Sequence, residues 1–171
     1  MACPPHPDRK SREGRSLRVL GIDPGLQRLG YAVLDVKGSE LVPLSYGLVT
    51  TEKESQKNTR LYQVYQDVES LIEKYEPDVL GLETLIFAKN SRTAMVIGEV
   101  RGALLILGMA HGLTIREFTP LQVKTQVCGY GRASKSQVQN AVRILLSLAE
   151  NPSPDDVADA IAIALCAAKP L

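Results

Sequence analysis

The sequence has few cysteines, and none of them belongs to a paired motif. Cys3, Cys128 and Cys166 are an odd number, lie far apart and form no CxxC pair. An odd, widely spread set of cysteines argues against a disulfide framework, and the lack of a CxxC pair argues against a zinc site. We therefore expect isolated thiols in a reducing compartment, and we predict a cytoplasmic protein.

A large net charge and a long apolar run are also missing. The formal net charge is only +1 at pH 7, so any binding to nucleic acid must use a local patch of the surface. We expect no membrane-spanning segment and no signal peptide, since no apolar run looks long enough for the hydrocarbon core of a bilayer. The sequence has 171 residues, 44% of them hydrophobic, which suits one compact domain.

The order of the apolar patterns predicts the fold class. Residues 1–16 show no periodicity, and we expect a disordered N-terminal extension before a single domain over 17–171. Predicted strands cover 17–23, 30–36, 41–51, 78–83 and 113–118. Predicted helices cover 60–75, 90–111, 121–128, 134–148 and 155–168. This order predicts an α/β fold with a mixed five-stranded sheet, three antiparallel strands and then two parallel ones, flanked by helices.

Four carboxylates differ from the ordinary solvated charges. Asp23 and Glu83 each end an apolar strand, whereas Asp156 and Asp159 are three residues apart on one helix face. Half-buried carboxylates repel each other, and a divalent cation compensates this repulsion. Oxygen ligands without nearby His or Cys favour Mg²⁺ or Mn²⁺ over zinc. We predict that these acids bind one or two such ions and hydrolyse phosphodiesters.

The spacing leaves one ambiguity in this set. Asp155 and Asp159 are four residues apart and also share a helix face, so the pattern alone does not choose between Asp155 and Asp156. The other acid would then be a helix-start residue that interacts favourably with the helix dipole. Any one of the acids alone could be structural, and only their joint placement favours a metal site.

Several cations and one aromatic residue lie near these acids in sequence. Lys89 and Arg92 flank the start of the long helix, and Phe87 lies in the loop before it. Lys124 and Lys135 lie on either side of a glycine loop. We predict that the cations bind phosphates and that Phe87 stacks on an unpaired base. The alternative is a solvated cation in each case and core packing for Phe87.

The long predicted helix at 90–111 is apolar on nearly every face. It holds Gly98 and Gly102 at four-residue spacing, which would let another backbone approach closely. A helix of this kind is either central to a core or faces a second subunit. Core packing and a dimer contact remain alternatives of equal weight.

With these residues in view, the chain resembles the RuvC family of Holliday junction resolvases. These are dimeric, Mg²⁺-dependent endonucleases with a ribonuclease H-like fold. The resemblance covers residue 17 to about the C terminus and rests on several motifs in the same order. The motifs are LGIDPG at 20–25 with Gly30-Tyr31, E-x3-F-A-K-N at 83–90, QVK at 122–124, G-x-G-x3-K-S-Q-V at 129–138 and D-x2-D-A-x-A-I-A at 156–164.

The resemblance implies a structure-selective endonuclease that resolves four-way DNA junctions by paired, symmetric nicks in recombination and repair. It implies that Asp23, Glu83, Asp156 and Asp159 are the catalytic, metal-binding acids. The implied cofactor is Mg²⁺, one or two ions per site, with Mn²⁺ able to replace it. It also decides for Asp156 over Asp155.

The resemblance further implies particular contacts and partners. Lys124 and Lys135 would contact the junction DNA, and the helix with Gly98 and Gly102 would form a homodimer. A branch-migration complex of the RuvA and RuvB type would be a further partner. Two other hypotheses remain: a non-catalytic junction-binding module and a ribonuclease H-like enzyme that acts on RNA. A third, an actin-like ATPase or sugar kinase, needs two such domains, for which 171 residues leave no room.

One position departs from the family pattern. Members often place an aromatic residue three positions after the catalytic glutamate, where this chain has Ile86, with Phe87 next. Either Phe87 takes over the stacking role or base stacking is weaker in this protein.

Overall fold

The structure is a computed structural model that describes residues 16–85 and 91–169. All but the last residue of the predicted N-terminal extension lies outside this part of the chain. The described residues form five strands and five helices, in the order expected from the sequence.

The five strands form one mixed sheet in the order β3-β2-β1-β4-β5. The first three strands pair as antiparallel neighbours, whereas β4 is parallel to β1 and β5 is parallel to β4. The strands are β1 (Leu17–Asp23), β2 (Arg28–Lys37), β3 (Glu40–Thr50), β4 (Val79–Glu83) and β5 (Thr114–Phe118). The predicted mixed five-stranded sheet is confirmed.

Helices cover both faces of this sheet. They are α1 (Lys57–Tyr75), α2 (Ser91–Ala110), α3 (Pro120–Cys128), α4 (Lys135–Leu145) and α5 (Asp155–Ala167). Successive strand residues face opposite sides of a sheet. Val19 accordingly packs in the core shared with α3, α4 and α5, whereas Leu20 packs in the core shared with α1 and α2. The sheet therefore separates two hydrophobic cores.

Helix α5 lies very close to the sheet because glycines face it. A Cβ atom at Gly30 of β2 would lie 1.9 Å from the main-chain oxygen of Asp156. A Cβ atom at Gly21 of β1 would lie 2.5 Å from the main-chain oxygen of Ala160. Every residue from 157 to 167 is buried except Asp159. This close packing sets the position of the acids at the start of α5.

Helix α2 corrects one expectation from the sequence. Residues 93–110 are long and apolar enough to cross a membrane, with a mean hydropathy of 1.6, although we expected no such stretch. Core helices of soluble proteins meet the same criteria of length and composition. Here α2 connects β4 to β5, which are adjacent strands of one sheet, and its Val100, Leu104 and Leu107 are fully buried. The inner face of α2 is thus a core-packing face.

The opposite face of α2 is apolar but exposed. Met95, Ile106 and Met109 are each about two-thirds exposed. At 100° per residue, these side chains and Gly102 fall on one side of the helix. A Cβ atom at Gly102 would meet nothing within 4 Å, whereas one at Gly98 would meet the Leu85 side chain of the same chain at 3.4 Å. We name Met95, Gly102, Ile106 and Met109 the α2 stripe.

Candidate active site

The carboxyl ends of β1 and β4 carry the first two predicted acids. The two strands are parallel neighbours in register, so Asp23 and Glu83 end at the same edge of the sheet. The first turns of α5 add Asp156 and Asp159 above this edge, because α5 packs directly on the glycines of β1 and β2. The structure therefore brings the four predicted acids to one region.

Burial and mutual repulsion both oppose ionisation of these acids. The pKa of Asp23 is raised to about 7, first by burial and then by the charges of Asp159, Glu83 and Asp156. The pKa of Glu83 is also raised to about 7, by burial and then by Asp159. Burial likewise raises the pKa of Asp159. A positive charge placed among them would relieve this cost.

The acids do not already form a closed set of metal ligands. Among the described residues, no three His, Cys, Asp or Glu side chains are placed to hold a metal ion. Asp156 is turned toward Arg28, whose guanidinium donates a hydrogen bond to its carboxylate. The donor chemistry nevertheless fits a hard divalent ion, because all four side chains offer carboxylate oxygens. The raised pKa values of Asp23, Glu83 and Asp159 also show that these carboxylates lack a compensating positive charge. Side-chain rotation, above all at Asp156, would be needed to complete the set.

The structure separates Asp155 from Asp156. The carboxylate of Asp155 accepts hydrogen bonds from Nζ of Lys135 and Nε2 of Gln139, both at 3.0 Å. These bonds tie the start of α5 to α4. The charges of both acids raise the pKa of Asp159, but of the two only that of Asp156 raises the pKa of Asp23. This placement supports Asp156 as the member of the acidic set.

A small cavity joins the acids to two of the predicted cations. Its volume is about 110 Å³, and its polar lining consists of Glu83, Lys124, Lys135 and Asp159. The charge of Lys124 acts to lower the pKa of Glu83, and that of Lys135 acts to lower the pKa of Asp159. Helices α3 and α4, which carry these lysines, each begin with a capping box that defines the first turn. The cavity therefore brings two of the acids and two of the cations together.

The remaining predicted DNA contacts are not placed by the structure. Phe87 and Lys89 lie outside the described residues, as does Ile86. The backbone of Arg92 belongs to α2, but its side chain is not among those described.

Arg28 is a site residue that the sequence analysis missed. It is the first residue of β2 and follows the short turn after Asp23. The sequence shows a single arginine between the strand-end acid Asp23 and Gly30, so Arg28 could have been proposed as a site residue. Its pairing with Asp156 could not have been predicted, because the two residues are 128 positions apart.

The comparisons with known proteins agree on one family. A family model described as crossover junction endodeoxyribonuclease RuvC matches residues 19–167. The protein of that name from Caldanaerobacter subterraneus is 49% identical over 150 residues, which cover 88% of this chain and 91% of the relative. The one from Caldicellulosiruptor saccharolyticus is 48% identical over 151 residues, with coverage of 88% and 91%.

Solved structures give the same result. The structure of T. thermophilus RuvC in complex with a Holliday junction substrate has a TM-score of 0.82 and 33% identity, and the match covers 87% of this chain and 91% of that one. The yeast mitochondrial Holliday junction resolvase Ydc2 has a TM-score of 0.69 at 19% identity, covering 90% and 78%, which supports the fold alone.

Proposed function

The chain belongs to the RuvC family of crossover junction endodeoxyribonucleases, and on that premise we propose that it resolves four-way DNA junctions by paired, symmetric nicks. The observation that carries this proposal is the group of four acids at the carboxyl ends of β1 and β4 and the start of α5, facing two lysines. We assign catalysis to Asp23, Glu83, Asp156 and Asp159. The chain acts as a nuclease in recombination and repair.

A divalent metal ion completes the proposed site. We infer Mg²⁺, with Mn²⁺ as a substitute, and one or two ions per site, because the donors are hard carboxylate oxygens. When bound, such ions stabilise charge on the phosphoryl oxygens and lower the pKa of water. The raised pKa values of Asp23 and Glu83 mean that cation binding and deprotonation of these side chains occur together.

The lysines of the small cavity hold the substrate in this proposal. Lys124 and Lys135 bind DNA phosphates, and their position next to Glu83 and Asp159 brings the bound strand to the acids. Phe87, Lys89 and Arg92 are further proposed DNA contacts, from their sequence positions in the loop before α2 and at its start.

We further infer that the α2 stripe joins two copies into a homodimer. Its exposed apolar side chains would be buried against a second copy, and Gly102 leaves room for a second helix. A two-fold dimer presents two acidic sites to the two symmetric strands of a junction. A cytoplasmic location and a partnership with a branch-migration complex of the RuvA and RuvB type complete the proposal.

Cleavage of labelled substrates tests the proposal. The protein is incubated with a four-way junction, a linear duplex and an RNA–DNA hybrid, with Mg²⁺ or with EDTA. We expect paired nicks in the junction alone, only with Mg²⁺. Asp23→Asn should abolish nicking, whereas Asp155→Asn should retain it, because Asp155 is bonded to α4.

Equal cutting of the duplex or the hybrid would contradict junction resolution. Unchanged activity of Asp23→Asn would exclude the acidic site as the catalytic centre.

A further inference from the structure

A second, larger cavity lies beneath the first turns of α2, on the far side of the β1–β2 turn from α5. Its volume is about 570 Å³, which falls within the roughly 300–1,000 Å³ of typical ligand sites. It is open to solvent and is formed by the β1–β2 turn, the first turn of α1 and the first turns of α2. Neither the proposed catalytic acids nor the lysines of the small cavity line it.

The lining of this cavity combines an apolar floor with a basic rim. Leu26, Val96 and Ile97 contribute the apolar side chains. Within the described part of the chain, every charged side chain of the lining is a cation. These cations are Arg28, Lys57 and Arg60. An apolar surface beside positive charge suits a ligand with one flat apolar part and one anionic part.

The cavity is separate from the proposed dimer surface. At 100° per residue, Val96 and Ile97 lie toward the buried side of α2, which is marked by Val100 and Leu104. The α2 stripe occupies the opposite side of the same helix. Association of two copies through the stripe therefore leaves the cavity open.

The cavity is also next to the acidic region. The turn that lines it begins directly after Asp23, and the three residue-to-residue steps from Asp23 to Leu26 span at most about 11 Å. Arg28 belongs to both places, because it lines the cavity while its guanidinium contacts Asp156. A strand held at the acids therefore has a neighbouring nucleotide within reach of the cavity.

A buried threonine holds the rim in position. Thr51 is 7% exposed, and its hydroxyl donates to the main-chain oxygen of Leu26 at 2.7 Å. The same hydroxyl accepts a hydrogen bond from Nε of Arg60 at 2.9 Å. The main-chain N–H of Thr51 donates to the oxygen of Gln27 at 3.2 Å. These bonds orient Arg60 relative to the turn before any ligand arrives.

Arg28 is bonded to Asp156, but the other two cations of the rim, Lys57 and Arg60, remain available to an anion. The Nε of Arg60 donates to Thr51, but its two terminal nitrogens donate to no other residue in the described part of the chain. Lys57 pairs with Glu99 at 2.7 Å, yet both side chains are well exposed, and such pairs are weak. A DNA phosphate can therefore displace Glu99 from Lys57.

We propose that this cavity binds one nucleotide of the DNA strand beside the cleaved phosphate. The base packs on Leu26, Val96 and Ile97, and Lys57 and Arg60 bind the adjoining phosphate. This inference rests on the proposed function, because the acidic site is what brings the strand here. Among the described residues the apolar part of the lining is aliphatic, so these residues select the base by size and shape rather than by stacking on a ring.

Fluorescence of 2-aminopurine tests this inference. The base analogue is placed singly at successive positions around the cleavage site of a four-way junction, and binding is measured in EDTA. We expect a several-fold rise at one position, because a base that leaves the stack for an aliphatic cavity is no longer quenched. Val96→Phe fills the cavity without changing charge, and it should remove the rise while the Kd for the junction changes little.

Salt dependence tests the phosphate contact independently of that variant. Lys57→Ala should reduce the slope of log K against log salt by about 0.9, the value for one lost phosphate contact. The matched control is Lys74→Ala at the other end of α1, which should keep the wild-type slope. Circular dichroism and Tm establish that each variant is folded. If Val96→Phe does not fold, the salt dependence of Lys57→Ala tests the inference instead.

The inference is overturned if no position brightens in the wild-type complex, or if folded Val96→Phe keeps the rise. Equal slopes for Lys57→Ala and Lys74→Ala would also overturn it. In each case the wild-type protein still nicks the junction, so the proposed function stands. A wild-type protein that does not nick junctions would instead defeat the proposed function.

Discussion

The guanidinium of Arg28 donates a hydrogen bond to the carboxylate of Asp156. This contact links the start of β2 to the first turn of α5, across 128 positions of sequence. It places a side-chain cation where we propose that a metal ion binds. Both side chains are partly exposed, so the pair contributes only about 0.2–1 kcal/mol. A divalent ion can therefore replace Arg28 at Asp156.

Replacing Arg28 should strengthen metal binding. Arg28→Gln removes the competitor for Asp156, so we expect the Kd for Mn²⁺ to fall by up to about fivefold, the equivalent of 1 kcal/mol. Isothermal titration calorimetry without DNA measures this directly. Arg143→Gln, which removes a guanidinium bonded to Asn140 on α4, should leave the Kd unchanged. Weaker Mn²⁺ binding by Arg28→Gln would contradict competition at Asp156.

The raised pKa of Asp23 predicts how stability depends on pH without metal. In the unfolded chain this carboxyl titrates near pH 4, whereas its pKa is about 7 in the folded protein. Between these values the folded state binds more protons, so the free energy of unfolding falls as pH rises from about 4 to about 7.

Asp23→Asn removes this titration. Its Tm in EDTA should exceed that of the wild type by several degrees at pH 8. For a domain of this size, 1 kcal/mol corresponds to roughly 2–4 °C in Tm. The difference should vanish near pH 4. Glu73→Gln, at an exposed position of α1, is the control and should show no such gain. A gain that is independent of pH would argue against an electrostatic origin.

Lys124 should contribute one phosphate contact to junction binding. In Lys124→Ala we expect weaker binding and a slope of log K against log salt that is smaller by about 0.9. Fluorescence anisotropy over a range of salt concentrations measures the slope. Lys37→Ala changes the same charge at the β2–β3 hairpin, at the opposite end of β2 from Arg28, and should have no effect on the slope. Identical slopes for the two variants would remove Lys124 from the DNA-binding surface.

Gly30 should tolerate no side chain. The Cβ atom of Gly30→Ala would overlap the main-chain oxygen and carbon of Asp156, at 1.9 and 2.5 Å, so α5 has to move. Overpacking of this kind costs about 1–3 kcal/mol, and we expect a lower Tm together with lost nicking. Thermal unfolding and junction cleavage measure the two effects. A fully active and stable variant would show that α5 is not held by this contact.

Replacing Gly102 by alanine should stabilise the monomer but weaken association of two copies. Helix propensity favours Ala over Gly by about 0.8–1.0 kcal/mol, and the single chain has room for the new methyl group. Gly102→Ala should therefore raise the Tm of the dilute protein but increase the Kd of the dimer in sedimentation equilibrium.

Gly98→Ala is the matched control for this effect. It makes the same change in the same helix, but its methyl group meets Leu85 of its own chain. Its dimer Kd should change less than that of Gly102→Ala. Equal Kd values for Gly102→Ala and the wild type would place the dimer contact elsewhere.

The elements of secondary structure were predictable because they depend on local periodicity. The apolar alternation of β1 and β2 and the helical spacing of α1 and α4 are visible in short windows of sequence, and the structure has all four. The long apolar run of α2 was less informative. Its pattern did not separate the face of Val100, which is buried in the core, from the exposed face of Ile106.

The order of strands and helices, the family and the four acids proposed for catalysis were all predictable without coordinates. Each follows from periodicity or from motifs of neighbouring residues. Only the folded protein shows the pairing of Arg28 with Asp156, the bonds of Asp155 to α4 and the basic cavity beneath α2. These features join residues from separate elements. Their geometry depends on how closely α5 and α2 pack on the sheet, and no local pattern of residues encodes that distance.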